Sequence, residues 1–237
     1  VPRRSRKRFL EFLATEGGLT FLLVSLVVYI FVLYPVVEQL QLTARILSLS
    51  FSMVLIASSV AVAENRRVRY FAAGLGIAAI LTLWLHDSYD LSATRVLADV
   101  TVIVFLVCTI LVLLARVLRA GRVGFHRIGG AIAAYLLIGL LWTEIYGFID
   151  FMIPGSFLVQ GVPLEDPRAL SGTLLYYSFV TLTTLGYGDV VPANVVARLV
   201  STLEAITGVL FLGTLIARLV SLQATHQGAE ADQDSGE

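Results

Sequence analysis

From Val100 to Ala115 the chain reads VTVIVFLVCTILVLLA, without one charged side chain. A helix on the surface of a soluble protein keeps a polar face toward water, and this run has no charge from which to build one. Roughly 20 apolar residues in a helix cross the hydrocarbon core of a bilayer. Runs of that kind recur at 19–37, 43–63, 68–86, 95–116, 127–150 and 195–220, which predicts six spans. Composition agrees: 57% of the 237 residues are hydrophobic, 14% are charged, and the mean hydropathy is +0.86. A soluble domain of this size carries far more charge. The formal net charge is +0, so there is no bulk electrostatic case for nucleic acid as a partner.

The charges are segregated along the chain. Arg3, Arg4, Arg6, Lys7 and Arg8 precede the first run; Arg66, Arg67 and Arg69 follow the second; Arg116, Arg119, Arg122 and Arg127 follow the fourth. If all six runs span, these clusters share one side, and basic clusters mark the cytoplasmic side. Both termini are then cytoplasmic. The opposite side receives Glu38, Asp87, Asp90, Asp150, Glu165 and Asp166. The basic start resembles a signal-peptide n-region, but Leu19–Val37 is too long for a typical h-region and no A-x-A-like site follows it. A retained first helix is expected. The single cysteine, Cys108, lies deep in an apolar run and can form neither an intrachain disulfide nor a metal cluster by itself. Paired carboxylates and a nucleophile constellation are also missing from the pattern, so an enzyme is not expected.

Between the fifth and sixth runs the pattern breaks. Residues 153–170 are polar, 171–183 are apolar and aromatic, and then comes TLTTLGYGD, Thr181 to Asp189. The stretch 171–183 is too short to cross a bilayer and reads as a re-entrant helix. Irregular backbone at membrane depth is tolerated only where it is buried in protein or lines a water-filled path. Glycine takes left-handed conformations without a Cβ penalty. Gly186 and Gly188, alternating with Leu185 and Tyr187, allow successive carbonyls to point the same way. A column of oxygens from Thr184, Leu185, Gly186 and Tyr187 can replace the water around a dehydrated cation.

TTLGYGD resembles the signature of tetrameric potassium channels, and the resemblance covers helix, re-entrant helix, loop and helix over about 127–220. It implies a homotetramer of all-α subunits, with six transmembrane helices plus a re-entrant pore helix and filter loop. It implies permeant K+ ions on Thr184, Leu185, Gly186, Tyr187 and Gly188, and no organic cofactor. Leu185 departs from the family, which has Val or Ile there; the stiffness of β-branching is lost while the carbonyl chemistry is kept. Two tyrosines, Tyr176 and Tyr177, stand where the family often has tryptophans. The first is expected to donate a hydrogen bond to Asp189. Glu144 resembles a family glutamate that braces the region behind the filter. Gly208 lies where relatives place a hinge glycine, and Gly213 is a second weak point. Ile216, Ala217 and Val220 are placed at the inner gate. For Glu204 the sequence leaves two options, water near the outer half or a polar neighbour.

The six-span order resembles voltage-gated channels. Those need arginines inside the fourth helix, yet Arg116, Arg119 and Arg122 sit at its cytoplasmic end, below an uncharged run. With no charge in the field little coupling follows, so weak or absent voltage sensing is expected. The resulting division is a basic cytoplasmic N-terminus (1–18), a voltage-sensor-like four-helix domain (19–116), a linker (117–126), a pore domain (127–222) and a disordered acidic tail (223–237), too short for a ligand-sensing domain. The expected setting is a plasma (inner) membrane, with anionic lipid at the N-terminal basic cluster. The expected function is passive K+ conduction. The alternatives are a cation channel of low selectivity and a silent subunit that needs a partner.

Overall fold

The computed structural model describes residues 16–40, 44–61, 66–89, 91–118, 125–163 and 167–234. The basic cluster Arg3–Arg8 and the arginines Arg119 and Arg122 lie outside them. The chain opens with α1 (Glu16–Val28), a π-helical turn (Tyr29–Leu33) and α2 (Tyr34–Gln39), which together cover the first expected span. The π turn has a local cause. Pro35 has no N–H to give to the fourth residue back and its ring crowds that carbonyl. The register widens just before it, so that the Tyr34 N–H bonds the Tyr29 carbonyl instead.

Four long helices and one shorter one follow: α3 (Ala44–Ala61), α4 (Arg66–Tyr89), α5 (Ser92–Val117), α6 (Phe125–Met152) and, after a small sheet, α7 (Pro167–Leu182). The last helix, α8, runs from Val195 to Asp234. Among the described residues four helical segments are long and apolar enough to cross a membrane: Gly18–Val37, Ser92–Val117, Ile128–Met152 and Val195–Arg218. The second and third expected spans hold the shorter apolar helices Ser48–Ser59 and Tyr70–His86. α8 also continues past Gln223, where an unstructured tail was expected. The stretch from Ala224 to Asp234 has three alanines, two glutamines and no proline; alanine and glutamine favour the helix.

The fold is mostly helical, as an all-α chain should be, with one small addition. The stretch after α6 folds back as a three-stranded antiparallel sheet in the order β2-β1-β3, with β1 Phe157–Val159, β2 Val162–Pro163 and β3 Val190–Pro192. Gln160 and Gly161, both at positive φ (50° and 84°), make the two-residue hairpin turn. β3 lies just beyond the TLTTLGYGD loop and pairs with β1 at Phe157↔Pro192 and Val159↔Val190. The two ends of that loop are thereby tied to opposite structures, a helix and a sheet.

The interior forms two clusters. The larger joins α1, α3, α5 and α6 through Leu22, Leu26, Leu55, Phe105, Leu106 and Leu137. The smaller is aromatic and brings α6, β1, α7 and α8 together: Tyr146, Phe157 and Tyr177 stand with ring centroids 5.0–5.3 Å apart. Below it α6 and α7 approach closely, because Gly139 has no side chain. A Cβ there would lie 2.6 Å from the Phe179 ring.

The start of α8 is fixed by a polar chain from α6. Asp150 accepts from the Ser156 N–H at 2.9 Å, Asn194 Nδ2 donates to Ser156 Oγ at 2.6 Å, and Asn194 Oδ1 accepts from the Ala197 N–H at 2.8 Å. The last bond makes Asn194 the N-cap of α8. Replacing it tests that assignment: N194A is expected to destabilise the detergent-purified protein by about 1 kcal/mol in thermal unfolding, with N194D, which keeps the capping oxygen, falling between it and the parent.

Candidate functional site

α7 ends in a defined way. The Leu185 N–H bonds the Val180 carbonyl at 2.9 Å and the Thr184 N–H bonds the Thr181 carbonyl at 2.9 Å, with Thr184 at φ 58°. These are the paired bonds of a Schellman motif, closed around a left-handed residue. That residue is usually glycine. A β-branched threonine at positive φ costs of order 1–3 kcal/mol, and the two bonds hold it there. Positive φ then recurs at Gly186 (58°) and Gly188 (78°). The loop therefore alternates in handedness and is neither a strand nor a helix. Residues 183–189 are all exposed on the single chain, Leu185 at 56% and Tyr187 at 67%.

The outer end of the loop is clamped by Asp189. Tyr176 Oη donates to Asp189 Oδ2 at 2.8 Å, the contact expected from the sequence. Asp189 Oδ1 also accepts from the Val190 N–H at 3.1 Å, and its carbonyl accepts from the Gln160 N–H at 3.0 Å. One residue thus joins α7, the hairpin and β3. The ring of Tyr176 stacks parallel on Tyr187, with centroids 6.5 Å apart and planes at 4°.

The second tyrosine works on the opposite face. Tyr177 is buried and donates to Ser201 Oγ on α8 at 2.7 Å. Beside it Ser178 lies 2.6 Å from Glu204 Oε1 and 2.7 Å from the Gly139 carbonyl oxygen. Tyr146 donates to Glu204 Oε2. At the inner end Tyr135 donates to the Leu182 carbonyl at 3.2 Å. Hydrogen bonds from α6 and α8 therefore hold α7 along its length.

Glu144 takes no part in this. Among the described residues it has no hydrogen bond to the loop, and its charged neighbours are Arg95 and Asp99 on α5. Helix periodicity explains it: side chains two positions apart on a helix point to different faces, and Tyr146 occupies the face toward α7 and α8. The acid behind the loop is Glu204. Sequence reading left it open because its partners, Tyr146 and Ser178, are far away in the chain. A signal existed nonetheless: Ala197, Ser201, Glu204 and Gly208 recur at helical spacing as the small and polar stripe of an otherwise apolar helix.

Gly208 lies against the inner end of α7, where a Cβ would stand 2.0 Å from the Leu182 carbonyl oxygen. Its local role is close approach. Gly213 has open space around it. Ile216 (61% exposed) and Ala217 are exposed on α8; the side chain of Val220 lies outside the described set. Nearby, Arg218 Nη2 donates to the Leu118 carbonyl at the end of α5, at 3.3 Å. On α5 itself Arg95 pairs with Asp99 at 3.8 Å and sits 4.7 Å over the Phe151 ring, while Arg116 is in the last turn.

Comparison with known proteins converges on this region. Residues 134–223 match the family described as Ion channel. The chain is 34% identical over 109 residues to two pore potassium channel b of Oryza sativa subsp. japonica, covering 46% of this chain and 28% of that protein. These residues are similar to potassium channels. Over 47 residues, 20% of this chain and 14% of the relative, it is 43% identical to the calcium-gated potassium channel TvoK of Thermoplasma volcanium. Over 106 residues, 44% of this chain and 30% of the relative, it is 27% identical to the voltage-gated potassium channel of Aeropyrum pernix. The chain spans less than a third of the length of these curated relatives. No solved structure matches.

Within this matched region the two glycines of α8 separate packing from bending. G208A forces a methyl group toward the Leu182 carbonyl and is expected to cost about 1–3 kcal/mol in thermal stability. G213A meets no neighbour and is expected to stabilise the helix by up to about 1 kcal/mol. Equal effects of the two substitutions would remove the packing role of Gly208.

Proposed function

We propose that the chain is the subunit of a potassium-selective channel, in which four copies bring their 184–188 loops together around one axis. The observation that carries this reading is the alternating-handed loop between the Schellman end of α7 and the Asp189 clamp. Alternation in the sign of φ stops the peptide planes from flipping as they do in a strand, so that carbonyls line up on one side. Thr184, Leu185, Gly186 and Tyr187 would then offer oxygens in place of an ion's hydration shell, with Gly188 closing the column. Exposed irregular backbone at membrane depth needs protein or water beside it, and further copies around a water-filled path supply both.

α8 supports the same reading. Only 17% of its span is buried within the chain, against 50% for α6. Val195, Leu199, Leu203, Ile206 and Leu210 form an exposed apolar stripe along it, the face available to other copies and to lipid. α7 points its C-terminal end, with its partial negative charge, toward the inner side of the loop, where a cation gains from it. Ile216, Ala217 and Val220 form the inner gate by dewetting, and Gly213 is the place on α8 where bending meets least resistance.

The remaining parts are assigned by the same physics. In this reading the chain has six spans in a plasma (inner) membrane, and the arginine clusters support cytoplasmic termini. The domain of α1–α5 senses voltage weakly or not at all, since Val100–Ala115 puts no charge in the field. Arg3–Arg8 attracts anionic lipid at about 1 kcal/mol per basic residue.

The test is cation flux into liposomes holding only the purified protein. K+ entry blocked by barium, with little Na+ entry, is expected. Equal entry of both ions would replace this reading with a pore of low selectivity, and entry only with an added partner would make the chain a silent subunit. In the same system Y176F removes the bond to Asp189 and is expected to speed current decay several-fold, a single hydrogen bond to a charged group being worth about 1.5–3 kcal/mol.

A further inference from the structure

Glu204 is the one fully buried acid among the described residues, at 0% exposure. It sits on α8 one turn from Gly208, and no Lys, Arg or His among the described residues forms an ion pair with it. A buried carboxylate without a cation is an expensive arrangement. The hydrogen-bond geometry points to a different species.

The inventory of protons decides between the two forms. An ionised carboxyl only accepts, and a serine hydroxyl has a single proton to give. Tyr146 Oη donates to Glu204 Oε2. Ser178 Oγ lies 2.6 Å from Glu204 Oε1 and 2.7 Å from the Gly139 carbonyl oxygen. If Glu204 is ionised, two acceptors compete for the one proton of Ser178. If Glu204 carries a proton on Oε1, that proton goes to Ser178 Oγ, the Ser178 proton goes to the Gly139 carbonyl, and Tyr146 still donates to Oε2. Every proton then has one acceptor, and the three bonds run in one direction from α6 through α8 and α7 back to α6.

We propose that Glu204 acts as a neutral, hydrogen-bonding carboxyl that positions the pore helix α7, and through it the 184–188 loop, against the inner helix α8. It touches no ion. It acts through Ser178, which is six residues before Thr184 on the helix whose end sets the loop. Movement of α8 is transmitted to the loop by this relay, so that Glu204 ties the conduction pathway's inner helix to its selective part. This rests on the pore assignment above.

The test uses the full chain in liposomes with E204A, E204Q and S178A. Glutamine reproduces the neutral acid, since its amide donates to Ser178 and its oxygen accepts from Tyr146. E204A and S178A are expected to reduce K+ over Na+ selectivity, or the lifetime of the conducting state, by roughly tenfold, as leaving a buried polar partner unmade does. E204Q is expected to recover most of that loss. E204Q as impaired as E204A would mean that the charge is needed and would overturn the proposal; so would E204A that behaves as the parent. Should E204A fail to assemble, S178A, which deletes one hydroxyl, carries the comparison. Infrared spectroscopy supplies a readout independent of flux: the parent protein should show the C=O stretch of a protonated carboxylic acid that E204Q lacks, and a difference spectrum without that band would overturn the proposal. If the parent passes no K+, the pore assignment fails while the infrared result still judges Glu204.

Discussion

Backbone that is neither helix nor closed sheet cannot stand in hydrocarbon, because each unpaired N–H or C=O there costs several kcal/mol. This chain places seven residues of such backbone, 183–189, between two apolar helices, and much of the surrounding structure answers that demand. The Schellman bonds take up the first amides at the end of α7. Asp189, Tyr176 and the Gln160 N–H take up the far end. Between these two anchors residues 184–188 are exposed on the single chain. The strain of Thr184 at positive φ is kept because both its flanks are fixed, as strained backbone at working sites generally is.

Holding α7 in place is a harder problem in lipid than in water. Lipid tails are as apolar as leucine, so helices gain little by hiding apolar surface from them. Close approach and internal hydrogen bonds must do more of the work. Both are found around α7. Gly139 and Gly208 let α6 and α8 come within contact distance of it. Tyr177–Ser201, Ser178–Glu204 and Tyr135–Leu182 then fasten it at three levels. An individual interhelical hydrogen bond in a membrane is worth only about 0.6 kcal/mol on average. The design therefore depends on several of them acting on one rigid helix.

The parts legible in the sequence were those set by local pattern. Apolar runs located the helices of the first five expected spans to within about three residues at each end and the start of α8, though not its end at Asp234, since about 20 apolar residues leave no alternative to a helix in lipid. The glycine alternation located the loop, and the resemblance to potassium channels, not any spacing rule, pointed to the Tyr176–Asp189 contact. What escaped was set by distant residues or by register. Glu144 and Tyr146 differ by two positions, and only the orientation of α6 decides which of them meets the pore helix. The sheet was missed because its strands are two or three residues long and lie on either side of α7, where pattern has no length to work with. Glu204 stood out as an acid in an apolar helix, but its meaning needed Ser178 and Gly139 beside it.

The two halves of the chain are joined differently from the way the loop is held. α1 and α5 meet α6 through leucine, valine and phenylalanine, with Leu22, Phe105 and Leu137 fully buried and few directional bonds. Apolar contacts of that kind fix distance but not register, and in lipid they slide at modest cost. Among the described residues, polar contacts that cross include Arg95 on the Phe151 ring at one end of α5 and Arg218 on the Leu118 carbonyl at the other. Only the second touches α8. Among the described residues, Arg218 supplies a polar link from the end of α5 to α8, on an exposed turn. From α8 inward the route is different in kind, because Ser201, Glu204 and Gly208 present successive rigid contacts to α7. Among the described residues, directional contacts are denser between α8 and α7 than between α5 and α8. On α5 itself the charged side chains Arg95, Asp99 and Arg116 lie toward its two ends, outside the uncharged run Val100–Ala115.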